Sequence, residues 1–312
     1  MTEKWWQPLS GDPMRWLLED DDPSIVYFFL LEIAERPNHS LALQDARLRI
    51  RSSPAVRAIL SRQHPDGWWE TPDHLTEPRY TATLWQLYLL AELGMTGQDF
   101  RVATAADFVL ETFMTPEGDF TLTPDGSQVN QSVAGLLLWS LHQLGYAEDE
   151  RVRFASERMT RVTLAGGELK HAAGPPSRLW AGLPVLWAIS AIPPEYRSNP
   201  MEALADQGAD AFLEHALPAP PASALQLSFP NYDPQDILYA LRVLTSLGYG
   251  SDPRLQPGLA MVIDKQLEGG RWPLERAFQN AGLNWGPVGH ANRWVTLNVL
   301  RVLKAAYDGQ GR

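Results

Sequence analysis

The heptapeptide Gln63-His64-Pro65-Asp66-Gly67-Trp68-Trp69 returns near the other end of the chain as Gln266-Leu267-Glu268-Gly269-Gly270-Arg271-Trp272. Both copies read Q-x-x-x-G-x-W. Each follows a run with apolar residues at helical spacing, Val56, Ile59 and Leu60 before the first and Leu259, Val262 and Ile263 before the second, and each precedes a turn-rich connection. The glutamine therefore falls at a helix C-terminus, where its amide can bond carbonyls that lack a helical partner. The glycine can take the positive φ of a reversal, and the tryptophan ring can cover the amide. Such a motif staples a helix end.

The staple belongs to a longer period. Glycines at 67, 118, 167 and 270 are spaced by 51, 49 and 103 residues, the last gap being two periods with one marker missing. A Leu-Gly pair at 93–94, 144–145 and 247–248 repeats at 51 and 103. An Asp-x-Arg follows each pair, at Asp99/Arg101, Asp149/Arg151 and Asp252/Arg254. Leu-Gly reads as a helix C-cap and the next Asp as the following N-cap. A long apolar helix and a shorter amphipathic one alternate between these markers, so each unit is a helix pair. Five units cover about 53–308, and the pair near 24–36 and 40–51 makes twelve helices in six pairs.

Q-x-x-x-G-x-W on paired helices at this period resembles the QW repeat of squalene–hopene cyclases and the related β subunits of protein prenyltransferases. The resemblance covers most of the chain and implies an all-α fold, an (α/α)6 toroid of about six hairpins, with inner helices around an apolar cavity. Length and a 45% apolar content fit one domain over residues 1–312, in which 1–23 reads as an irregular acidic segment and 217–232 as a Pro-rich lid or insertion.

Composition narrows the function. A formal charge of −11 opposes binding of nucleic acid or an anionic membrane surface. The absence of cysteine excludes disulfides, thiolate zinc sites and cysteine nucleophiles. The most apolar N-terminal run, Ile25–Leu31, is far shorter than a membrane span, and a cytoplasmic protein without a transmembrane segment is expected. No metalloprotease, P-loop, nucleophile-elbow or dinucleotide motif is present.

The cyclase and ionising motifs D-x-D-D and D-D-x-x-D are also missing. The one acidic cluster, Glu19 to Asp22, precedes the first helix, where Asp22 or Ser24 can cap.

In a toroid the inner helices run the same way, so chemistry is expected where they begin. Those positions hold Glu77, Arg79 and Tyr80; Gln128, Asn130 and Gln131; His171, Arg178 and Trp180; Tyr232, Asp233 and Asp236; and Trp285, His290, Asn292, Arg293 and Trp294. Prenyltransferases hold zinc with an aspartate and a cysteine at one inner-helix start and a histidine at the next. Asp233, Asp236 and His290 occupy similar places, with Gln235 near where the cysteine would stand. The resemblance thus makes these three the catalytic candidates, able to hold a divalent metal or to pair a general acid with a base. The local alternative makes Asp233 an N-cap, Asp236 a first-turn acid and His290 a surface residue.

Tyr80, Trp85, Trp180, Tyr232, Trp285, Arg293 and Trp294 are the candidate substrate-binding residues. The twelve tryptophans suit an aromatic wall for a carbocation, a flat apolar ligand or a sugar ring. Three functions are open: an isoprenoid-handling enzyme or binder taking an apolar small molecule; a non-catalytic helical scaffold that binds a partner; and a carbohydrate-active enzyme using two carboxylates, Glu77 or Asp119 with Asp236.

Overall fold

A computed structural model describes residues 5–19, 22–167, 169, 176–232, 236–278 and 282–308. The fold is all-α, made of helix hairpins of the (α/α)6 kind, and among the described residues extended pairing is limited to isolated bridges. The helices are α1 (Met14–Leu18), α2 (Pro23–Phe28), α3 (Leu41–Ile50), α4 (Pro54–Ser61), α5 (Thr83–Glu92), α6 (Phe100–Thr112) and α7 (Gln131–Gln143). There follow α8 (Glu150–Gly166), α9 (Pro176–Ser190), α10 (Asn199–His215), α11 (Ile237–Ser246), α12 (Gln256–Ile263) and α13 (Arg293–Tyr307). A π-helical turn, Phe29–Ile33, continues α2. The 1–23 segment expected to be irregular therefore carries α1, and α12 is prefixed by a 3-10 turn at Pro253–Leu255.

The chain divides into two compact units, one of Met1–Ser53, Leu213–Phe278 and Asn284–Arg312, the other of Pro54–Phe212 and Gln279–Leu283. In the second unit α5, α7 and α9 are the buried helices, and every residue of α5 is buried. One period apart on these three helices, Tyr88, Trp139 and Trp187 form a ladder, with centroids 5.2 Å apart for the first pair and 5.0 Å, nearly parallel, for the second. Gly135 lets α7 approach α9, since a Cβ there would lie 2.4 Å from the Pro184 carbonyl carbon. In the first unit α11 and α13 are buried, while α3 and α12 show alternating burial.

The markers do what their backbone chemistry requires. Gly94, Gly145 and Gly248 all take positive φ, and the residue after each returns its N–H to the carbonyl five residues back: Met95 to Leu90, Tyr146 to Leu141 and Tyr249 to Leu244. Asp99, Asp149 and Asp252 each cap the following helical turn by accepting the N–H two residues on. Each Arg of Asp-x-Arg then reaches the preceding repeat: Arg101 to the Gln63 carbonyl, Arg151 to Asp107 and Arg254 to Glu214.

The staples work differently from the expectation in one respect. Tryptophan, not glutamine, serves the helix end: the Trp69 indole N–H donates to the Ile59 carbonyl at 2.9 Å and that of Trp272 to the Val262 carbonyl at 2.7 Å. Their backbone N–H groups donate to Thr83 and Thr296 on the next buried helix. Gln63 instead donates to the Gly67 carbonyl and, across the repeat, to that of Arg101. The Gln266 amide engages the N-terminal segment, donating to the Pro8 carbonyl and accepting the Ser10 N–H. The staple glycines follow suit: Gly67 faces the backbone of Thr104, and Gly270 that of Gly11.

Candidate functional site

Within the first unit, the connections leading into α11 and α13 come together. The stretch 217–232, expected as a lid or insertion, has a buried second half from Leu227 to Tyr232. Its Leu227 carbonyl accepts the N–H groups of Glu275 and Arg276, which ties it to the connection before α13. Glu275 in turn accepts the Leu227 N–H at 2.9 Å and pairs with Lys265 at 2.7 Å.

Asp236 is wholly buried at the head of α11 and is itself the N-cap, accepting the Leu238 N–H through Oδ1 at 2.8 Å. Asp236 is thus the cap itself rather than a first-turn acid. Its Oδ2 accepts from the Ser228 N–H at 2.8 Å, the Ser228 hydroxyl at 2.6 Å and the Asn231 amide at 3.3 Å. The Asn231 carbonyl oxygen accepts from Arg242 at 3.3 Å. Burial pushes the Asp236 carboxyl up to about 6, against the downward pull of Ser228, Leu238 and the Arg276 charge. A carboxyl so placed can hold or release a proton near neutrality.

Aromatic rings stand beside it. Phe229, next to Ser228 in the chain, stacks face to face on Trp294 with centroids 4.4 Å apart, and Trp285 meets Phe229 edge-on at 5.0 Å. The Trp294 indole donates to Asp22 at 3.2 Å, the same aspartate whose other oxygen caps α2. Trp285 has a buried Nε1 with no hydrogen-bond partner among the described residues. Tyr232 packs edge-on against Phe278 at 5.6 Å, and Arg276 lies over the Phe278 ring at 5.1 Å. Asn292 caps α13 and donates to the Trp285 carbonyl.

The other sequence candidates separate from this cluster or lie outside it. Asp233 and His171 lie outside the described residues. His290 is exposed, its ring set against the Val288 carbonyl at 3.2 Å, and no hydrogen bond or ion pair joins it to Asp236. Among the described residues no three His, Asp or Glu side chains are grouped as a metal ion requires, and both Asp236 oxygens are taken by donors.

In the second unit Tyr80 adopts φ 69°, Arg79 lies over its ring, Trp85 meets it edge-on, and its carbonyl accepts from Gln86. Trp180 is buried against Phe212, and its indole N–H has no partner among the described residues. Trp85, Trp180 and Trp294 are only 8, 0 and 3% exposed, so their rings are covered by protein. Of the two acids weighed for sugar chemistry, Asp119 is held by both prongs of Arg158, and Glu77 is exposed.

No family model and no curated protein matches the chain. Solved structures with similar folds include the Lin0763 protein from Listeria innocua, 12% identical over 96% of this chain and 86% of that one, with a TM-score of 0.49. An unsaturated glucuronyl hydrolase specific for heparin is 12% identical over 92% of this chain and 84% of that one, at 0.49. The type II terpene cyclase MstE from Scytonema is 14% identical over 90% of this chain and 86% of that one, at 0.44. Likeness at this level assigns no activity.

Sequence reasoning missed Ser228, Asn231 and Phe229. Nothing periodic marks them, because they lie in the stretch where the glycine marker is lost. The signal available was a run of polar and aromatic residues, Ser228-Phe229-Pro230-Asn231-Tyr232, ahead of a helix that also needed an N-cap.

Proposed function

We propose that the first unit holds the working site of an isoprenoid-handling enzyme or binder, with Asp236 as its acid and Phe229, Trp285 and Trp294 as its aromatic wall. The supporting observation is a fully buried carboxyl, pushed up to about 6, one residue beyond whose partner Ser228 a stack of aromatic rings begins. Protonated, such a group gives its proton to an alkene and is left as the carboxylate, and nearby aromatic rings stabilise the carbocation until it loses a proton. Ser228 and Asn231 orient the carboxyl, and Arg242 orients Asn231.

The test is native mass spectrometry and tryptophan fluorescence of purified protein with a polyprenyl alcohol, a linear polyene hydrocarbon and an acidic oligosaccharide. Retention of either isoprenoid, weakened in Trp285→Ala, with product formed by wild type and not by Asp236→Asn, supports the reading. Retention of the oligosaccharide alone replaces it with the carbohydrate reading.

A second reading, a helical scaffold without catalysis, draws on the burial of Trp85, Trp180 and Trp294 and on the four donors that occupy Asp236. It predicts that none of the three ligands is retained.

A further inference from the structure

We propose, building on the isoprenoid reading of the site, that residues 217–232 form a strap that opens to admit the ligand and, on closing, completes the acid at Asp236. The rings of the aromatic wall are covered, Phe229 and Trp294 being 0 and 3% exposed, so a ligand reaches them only when a covering element moves. On one side of Trp294, α1, α2 and the π-helical turn are held to α13 by polar bonds. Trp294 donates to Asp22, Arg293 Nε to the Trp16 carbonyl, and Lys304 to the carbonyls of Glu32 and Ile33. On the other side the strap meets Trp294 through the Phe229 ring, a stacked contact that lifts without leaving a buried donor unpaired.

The strap has a seat, a free middle and two pins. Leu217 packs over Gly258 of α12, where a Cβ would stand 2.9 Å from Leu217 Cδ1. From Pro218 to Ser223 the chain runs largely exposed, and Pro218, Pro220 and Pro221 bring no N–H for a backbone ladder. Leu227 is the first pin: its carbonyl accepts the Glu275 and Arg276 N–H groups, and its own N–H donates to the Glu275 carboxylate. That carboxylate is paired with Lys265 where water has access, the two side chains being 27 and 24% exposed. Asp236 is the second pin. Among the described residues the three donors at its Oδ2, the Ser228 N–H, the Ser228 hydroxyl and the Asn231 amide, all belong to the strap, whereas Oδ1 is held by α11 itself. Opening exchanges those donors for water at small net cost and bares the Phe229 and Trp294 faces, which an apolar ligand covers again. Closing orients the carboxyl and expels water from it in one movement.

Amide exchange of the full chain, followed residue by residue by NMR, reads the strap at the Ser228 N–H, whose acceptor Asp236 is left intact in the variants used. In the wild type this amide should exchange at least about tenfold faster than those of Leu241 and Leu300 in the buried helices. Glu275→Ala should quicken it about tenfold further without changing theirs, and Lys265→Met, which keeps the carboxylate, should quicken it less. Exchange of Ser228 in step with Leu241 in the wild type overturns the strap, as does a rate unchanged in both variants or a quickening that Leu241 shares. Should Glu275→Ala not fold, Lys265→Met carries the comparison. Stopped-flow tryptophan fluorescence with a polyprenyl alcohol is the second arm. Faster association in the variants supports entry beneath the strap; unchanged association in a variant whose Ser228 exchange has quickened overturns it. Absence of binding by wild type and variants alike overturns the isoprenoid reading, while the exchange rates still decide whether the strap opens.

Discussion

Asp236 and His142 are buried groups that titrate in opposite senses. His142 donates from Nε2 to the Ser156 hydroxyl, whose own proton is given to the Val152 carbonyl, and this leaves Nδ1 buried without a partner. Burial lowers its pKa to about 4 from 6.5. The folded value lies below the unfolded one, so the stability held by neutral His142 is complete above 6.5 and is lost as pH falls toward 4, by about 3 kcal/mol. Asp236 has its folded value, about 6, above the ordinary 3.8, so its contribution is complete below 3.8 and lost as pH rises through 6, again by about 3 kcal/mol. Urea unfolding at about pH 7 and about pH 4.5 checks the balance. Asp236→Asn keeps only the histidine term and should lose stability on acidification. His142→Gln keeps only the aspartate term and should gain it, while the wild type should change less than either. The sequence marked Asp236 as a residue at a helix start and gave no sign of His142, and neither titration was legible there, because the burial that shifts each group comes from other elements.

The staples carry the element scale. Trp69→Phe and Trp272→Phe remove the donor to the Ile59 or Val262 carbonyl and shrink a fully buried ring system, so each should cost about 2–4 kcal/mol in denaturant unfolding. A cost below about half a kcal/mol would show that water serves those carbonyls equally well. Gly135→Ala should cost at least as much, because α9 would have to move away from α7 to clear the 2.4 Å approach at Pro184; differential scanning calorimetry is the measurement. The markers could be read in the sequence because each answers a local backbone need: positive φ at Gly94, a cap at Asp99, a covered helix end at Trp69. The partners of Gln63 and Gln266 could not, since both lie on other elements. Helix bounds drifted for a local reason too. The helix expected from Tyr80 begins at Thr83, because Tyr80 turns to φ 69° first.

At the scale of the molecule, the first unit is made of sequence from both ends of the chain. Arg301 bonds Glu32 and lies over Phe28, and Lys304 donates to the Glu32 and Ile33 carbonyls that the π-helical turn leaves at its end. Removal of residues 1–11 uncovers the Gln266 amide and the face of Gly270. Hydrogen exchange should then quicken across 259–275 while 83–92 and 134–142 keep their protection; uniform quickening would show that the chain opens as one. The sequence by itself determined the all-α class, the hairpin period, the caps and the staples, because a repeat writes the same local chemistry several times. Only the tertiary structure decided that Asp236 is a buried cap held by Ser228 and Asn231, that no hydrogen bond or ion pair joins His290 to it, and that Pro8 and Ser10 meet the Gln266 amide while Glu32 and Ile33 meet Lys304. Those outcomes depend on which distant groups meet and on how much water they exclude, and no spacing along one chain contains that information.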